Sequence, residues 1–275
     1  MFENHTLAIL GAGSIGQALL GGLLGDLMPP ERVVATRRSA EGQAALRDSY
    51  PGIRVTDDNA AAADAATIVL LACKPYQRAP LFDAIRPTLA PDTLVISVLA
   101  GIHSDTLARE LDSITPIVRA MPNTPALVDA GATALAAGAT ATDEHLRLAT
   151  ALFEAVGTAE VVSESQMDAV TGLSGSGPAY VFMFIEALID AGVRQGLPRT
   201  TAARLAKQTV FGAAKLARDS GEHPAILRDG VTTPGGTAIA AVAELEAHGL
   251  RTMLINAVDT ATRRSRELNA SDDGA

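Results

Sequence analysis

The run Leu173-Ser174-Gly175-Ser176-Gly177-Pro178-Ala179-Tyr180 alternates two hydroxyl residues with two glycines, then sets a proline before an apolar stretch. This order predicts a helix N-terminus with a bare backbone. Ser176 or Gly177 caps it, Pro178 takes the first helical position, and unpaired N–H groups face outward. Such an end attracts carboxylates and phosphates. A second anion site is expected at Gly11-Ala12-Gly13-Ser14-Ile15-Gly16, which matches G-x-G-x-x-G directly after an apolar strand pattern and at the start of helical spacing. Gly11 permits the tight turn, Gly13 lets a pyrophosphate approach the backbone, and Gly16 allows close helix–strand packing. One site for a cofactor and one for a small acid is the equipment of a reductase.

The end of the second strand pattern separates two cofactors. A carboxylate there would bind a free ribose hydroxyl, but the chain has Thr36-Arg37-Arg38-Ser39. Guanidinium groups make bidentate, charge-assisted bonds to phosphate, so NADP is expected over NAD, with Arg37 as the principal contact. One of the two arginines is expected to do no more than solvate the loop. Cys73-Lys74-Pro75 ends another strand pattern and is expected to line the crevice beyond the strand ends. Cys73 itself reads as a small packing residue, since nothing near it in sequence marks a nucleophile. The five histidines are scattered without metal-ligand spacing, so no metal is expected.

These groups need a frame. Apolar runs at 6–10, 33–36, 68–73, 94–98 and 117–120 read as strands, with helical stretches between them. The alternation predicts an α/β fold, a doubly wound parallel sheet over roughly the first 160 residues. After Val162 the strand patterns stop, and 178–195, 199–218 and 237–268 read as helices. The expected division is residues 1–162 for the nucleotide-binding domain and 163–275 for a helical one. The 179–193 helix is apolar almost all round and must be covered on every side. A subunit interface would cover it, and so would the centre of a monomer. Its apolar stretch at 179–185 precedes Glu186 and Asp190 and reads as too short for a bilayer. The polar tail at 269–275 is expected to fray.

The bulk properties exclude some classes. A net charge of −9 opposes nucleic acid or an anionic membrane as partner, and 3% aromatic residues with no Trp leave no base-stacking platform. A single cysteine rules out an internal disulfide and fits a reducing, cytoplasmic compartment. No signal peptide is read at the start.

Taken together, the motifs resemble the pyrroline-5-carboxylate reductases over nearly the whole chain. The resemblance rests on Gly11 to Gly16, Lys74-Pro75, Arg119-Ala120-Met121-Pro122-Asn123-Thr124-Pro125, Asp168 to Tyr180, and Thr233-Pro234-Gly235-Gly236-Thr237. It implies reduction of 1-pyrroline-5-carboxylate to proline by hydride from NAD(P)H. It also implies a Rossmann domain followed by an all-α dimerisation domain, in a homodimer or larger homo-oligomer whose helices interlock. By the same resemblance Asn59 is an adenosine-side contact and Ala100 a nicotinamide-side contact, with Met121, Pro122 and Asn123 walling the nicotinamide. Glu164 is similar to an acidic residue of the family's substrate and nicotinamide pocket. An imine acid of this kind carries a carboxylate and a ring C=N. Ser174, Gly175, Ser176 and Gly177, with Gly236 and Thr237, are therefore expected to bind it through backbone N–H groups and hydroxyls. Thr237, Ser176 and Glu164 are the catalytic candidates.

Two departures stand out. Ala238 occupies a position where the family commonly has a threonine, and Gly230 one where some relatives have an amide side chain. Two other readings follow: a related imine reductase with another substrate, and a nucleotide-binding sensor with weakened turnover. A beta-hydroxyacid dehydrogenase would need a lysine on the second domain, where Lys207 and Lys215 read as surface charges.

Overall fold

The computed structural model describes residues 2–25, 27–111 and 114–272. The strands are β1 (Leu7–Leu10), β2 (Val33–Thr36), β3 (Arg54–Thr56), β4 (Ile68–Leu71), β5 (Leu94–Ser97), β6 (Ile117–Met121), β7 (Gly131–Ala137) and β8 (Gly157–Val161). They form one sheet in the order β3-β2-β1-β4-β5-β6-β7-β8. All neighbours are parallel except β6 and β7. Helices α1 (Ser14–Leu23), α2 (Ala40–Ser49), α3 (Asn59–Asp64), α4 (Arg78–Ile85), α5 (Ser104–Leu111) and α6 (Asp143–Glu154) lie between the strands. Every residue of β1, β2, β4 and β5 is buried, as strands covered on both faces require, and their sequences are apolar apart from Thr36 and Ser97 at the strand ends.

Three strands have no counterpart in the sequence reading. β3 is three residues long and only partly buried at the sheet edge, so it carries little apolar signal. β7, Gly-Ala-Thr-Ala-Leu-Ala-Ala, is alanine-rich and lacks strand propensity; its place in the sheet is decided by the neighbours it pairs with. β8 is largely exposed and polar enough to pass for a loop.

The rest of the chain is helical: α7 (Met167–Val170), a π turn over Thr171–Gly175, then α8 (Gly177–Arg194), α9 (Arg199–Ser220), α10 (Pro224–Gly230), α11 (Thr237–Ala247) and α12 (Leu250–Asp272). The compact units do not divide at residue 162. One comprises Met1–Ser176 with Thr260–Ala275, the other Gly177–Asp259. Residues after 162 stay with the first unit because Met167, fully buried, packs against Ala134 and Ala136 of β7. The tail also departs from expectation. Helix α12 runs to Asp272, and Asn269 is buried rather than frayed. Residues 273–275 of the expected tail lie outside the described residues.

The second unit leaves large apolar side chains uncovered. Phe182 and Met183 of α8 are 63% and 74% exposed, and among the described residues none of α8 is buried. The centre of a monomer is therefore not where this helix lies. The longer helical run Glu164–Arg194, which contains the apolar stretch at 179–185, is long and apolar enough to cross a membrane by length and composition alone.

Candidate active site

Strand register builds the first part of the site. Leu10 pairs with Leu71, so the turn after β1 lies beside the turn after β4. At Gly11, φ is +82°, and a Cβ there would lie 3.0 Å from the Cys73 backbone; glycine alone suits both demands. Gly11 N–H donates to Thr36 Oγ1 (2.9 Å) and Ala12 N–H to Thr36 O (3.0 Å), which ties the loop to the end of β2. A Cβ at Gly16 would stand 3.0 Å from Ile9, so α1 sits close on β1. The N-cap of α1, Gly13, offers no side-chain cap, and the first turn holds no acidic residue. This end is available to an anion.

A cleft of about 1010 Å³ opens in front of this loop. Of the expected cofactor residues, Gly11, Gly13, Thr36, Arg37, Asn59, Cys73 and Lys74 line it. Ala12 and Gly16 are buried behind the loop, Ser14 is exposed at the start of α1, and Ile15 and Pro75 are not among the lining residues. Arg38 lines the cleft as well as Arg37. The Arg37 guanidinium reaches from Gly13 to Gly42, near the Ser39 hydroxyl that caps α2 by accepting from Gly42 N–H (3.2 Å). Ser39, Asp57 and Tyr76 also line the cleft and escaped the sequence reading. The bare glycine backbone, two guanidinium groups and Lys74 together fit an anionic dinucleotide. Cys73 is half-buried, and burial pushes its thiol pKa up, as suits a packing residue.

The second part is held by β6. Segment 173–177 is not the bare helix N-terminus that its glycines and proline imply. α7 passes into a π turn, Ser176 keeps right-handed helical angles, and its N–H donates to Thr171 O (2.8 Å). Pro178 is the second residue of α8 rather than the first. π turns inside α-helices mark functional sites often enough to note. Three ties fasten this stretch to β6 and the loop after it. Arg119 Nη1 donates to Glu164 Oε1 at 2.7 Å, and His103 Nδ1 lies 3.2 Å from the same oxygen. Met121 Cε would lie 2.5 Å from a Cβ at Gly175. Asn123 Nδ2 donates to Ser174 O (3.0 Å), while its Oδ1 accepts from Ala132 N–H (2.9 Å). Glu164, Ser174 and Gly175 are thus gathered with Met121 and Asn123; Pro122 is buried and Ala100 exposed. Sequence reasoning missed the ionic role of Arg119 and the contact of His103, which only a distant carboxylate reveals.

In the second unit, Gly236 is the N-cap of α11 without a side-chain cap, and Thr237 opens the helix, exposed, with half-buried Ala238 next. Among the described residues no group of three or more His, Cys, Asp or Glu could hold a metal ion.

Comparison with known proteins agrees with this fold. Residues 164–268 match the family model described as pyrroline-5-carboxylate reductase dimerisation, and residues 6–101 match that described as NADP oxidoreductase, coenzyme F420-dependent. The chain is 45% identical to a pyrroline-5-carboxylate reductase of Synechocystis, covering 95% of this chain and 97% of the relative. It is 42% identical to that of Escherichia coli over 96% and 98%. A solved pyrroline-5-carboxylate reductase from Coxiella burnetii superposes with a TM-score of 0.92 at 36% identity, covering 97% of this chain and 99% of that one. That of Plasmodium falciparum, solved with NADP bound, gives 0.86 at 29% identity over 97% and 99%. With an NAD(P)-binding oxidoreductase fold and full-length likeness of this degree, the chain belongs to the pyrroline-5-carboxylate reductase family.

Proposed function

We propose that this protein reduces 1-pyrroline-5-carboxylate to proline, the last step of proline biosynthesis, with NADPH preferred over NADH. The observation that carries the reading is the attachment of the Glu164–Ser174 segment to β6 through Arg119 and Asn123, in the same unit as a cleft carrying two arginines. NADPH, when bound, supplies the hydride. The glycine loop and the start of α1 hold its pyrophosphate, Asn59 its adenosine side, and Arg37 and Arg38 a 2′-phosphate. Lys74 adds positive charge to the cleft. Ala100, Met121, Pro122 and Asn123 face the nicotinamide end. Ser174, Gly175 and Ser176 bind the imine acid, and Ser176 or Glu164 acts at the ring nitrogen. The imine nitrogen can already carry a proton, so the reaction needs positioning and exclusion of water more than a strong acid.

The protein works as a homodimer or larger homo-oligomer through its helical domain. Support comes from the uncovered apolar side chains of α8 and from the dimerisation family match over 164–268. Glu186 and Asp190 on the same helix favour a second copy over lipid as its cover. Net charge and the single half-buried thiol support a cytoplasmic enzyme without nucleic-acid partners.

The test is the initial rate of NADPH and NADH oxidation with pyrroline-5-carboxylate, with proline identified by chromatography. Turnover favouring NADPH supports the reading. NADPH binding without proline formation rejects it and turns to another imine or to a sensor role, the two alternatives that Ala238 raises.

A further inference from the structure

The end of α12 meets the same polar region, and nothing in the reductase reading uses it. Ser265 and Asn269 are polar residues 4% and 5% exposed, near the end of a helix whose interior disfavours both types. Ser265 Oγ donates to Asp168 Oδ1 at 2.6 Å, and Asn269 Nδ2 donates to the same oxygen at 2.7 Å. Asp168 follows Glu164 by four residues, and the π turn starts at Thr171. On its other side the helix end touches the turn after β5. A Cβ at Gly101, where φ is +76°, would lie 3.5 Å from Leu268 Cβ and 3.6 Å from Asn269 Oδ1. One helix end therefore contacts the segment leading into the π turn and the turn that carries Ala100.

We propose that Ser265 and Asn269 are positioning residues for the active site, acting through Asp168 and the Ala100–Gly101 turn. Two donors on one carboxylate oxygen fix that side chain's rotamer, and charge-assisted bonds are the stronger kind. Fixing Asp168 sets the helical phase in which Ser174 and Ser176 follow. Contact with Gly101 holds the turn of Ala100 at its distance. The inference rests on the reductase reading, because positioning is measured through turnover.

The experiment uses the full chain with Ser265→Ala/Asn269→Ala, Asp168→Ala, their triple combination and Asp168→Asn. The double variant is expected to lower kcat per NADPH-binding site about tenfold, a size typical of small misplacements remote from the chemistry. Its NADPH dissociation constant stays within about twofold, because the phosphate contacts are untouched. Amide hydrogen exchange across 171–177 and 99–103 speeds up. Asp168→Ala gives the same loss, the triple variant is no worse, and Asp168→Asn, which keeps an oxygen acceptor, recovers most of it. An unchanged kcat per binding site in the double variant, even with a lower Tm, overturns the proposal; so does additivity in the triple. If the double variant does not fold, Ser265→Ala and Asn269→Ala, each keeping one bond, carry the same comparison. If the unmodified protein forms no proline, the reductase reading fails separately, and unchanged exchange in the double variant then overturns the anchor.

Discussion

Arg119 and Glu164 are 45 residues apart in sequence and 2.7 Å apart in space, with the arginine side chain 2% exposed and the carboxylate 25% exposed. Arg119 points from β6, opposite Ala136 of β7, where the small neighbour leaves room for a guanidinium. Its Nη2 and Glu164 Oε2 are buried without a hydrogen-bond partner among the described residues. A pair of this kind is poor value as a stabilising device, because desolvation offsets most of the attraction. Its consequence is register: it fixes where the helical run carrying Ser174 leaves the sheet.

Arg119→Ala removes one partner and leaves Glu164 partly buried beside a cavity. The expected loss is about 3 kcal/mol, at the low end for broken buried pairs because Glu164 keeps some water. Urea unfolding checks it, with the m-value unchanged. Arg119→Met/Glu164→Gln should cost less than Arg119→Ala alone, since no charge is then left without its partner.

Arg37→Ala and Arg38→Ala should each raise the KM for NADPH about tenfold, the size of one lost hydrogen bond to a charged group. The KM for NADH should change far less, since it has no 2′-phosphate. Steady-state kinetics with both cofactors checks this. Equal effects on the two would remove that arginine from the phosphate site.

Ala238→Thr should raise kcat with pyrroline-5-carboxylate by roughly tenfold, if a hydroxyl there donates to the substrate in the transition state. The helix cost of threonine is below about 0.7 kcal/mol, so the variant should fold. Stopped assays of proline formation check it. No gain in a folded variant would show that Thr237 or Ser176 already fills the role.

Cys73 should resist alkylation at neutral pH. Burial raises its thiol pKa, so the reactive thiolate appears only as pH climbs above the ordinary thiol range. The sign for stability is the same: the folded state holds the proton more tightly. This contribution is full below the unfolded thiol pKa and is lost as pH rises through the folded one. Iodoacetamide rates from neutral to alkaline pH, read by intact mass, test it. Since Cys73 lines the cleft, NADPH should slow the reaction further.

The buried strands and the glycine loop were legible in the sequence because their physics is local. Residues 68–71 are apolar because both faces of β4 are covered, and Gly11 is glycine because its own φ is positive. That Arg37 and Arg38 line the cleft follows from their place directly after β2. Several features were illegible because the cause lies far along the chain. Alanine-rich β7 becomes a strand only when β6 and β8 pair with it. The glycines and proline of 173–178 imply a helix start, yet α7 runs into them and the π turn absorbs the mismatch. Asn269 looks like part of a polar tail until Asp168, 101 residues away, accepts a hydrogen bond from its side-chain amide. Composition and spacing by themselves determined the α/β class, the cofactor loop and the segments that resemble the family. Tertiary structure alone decided which of those segments touch, because hydrogen bonds and ion pairs across long loops leave no periodicity in the sequence that makes them.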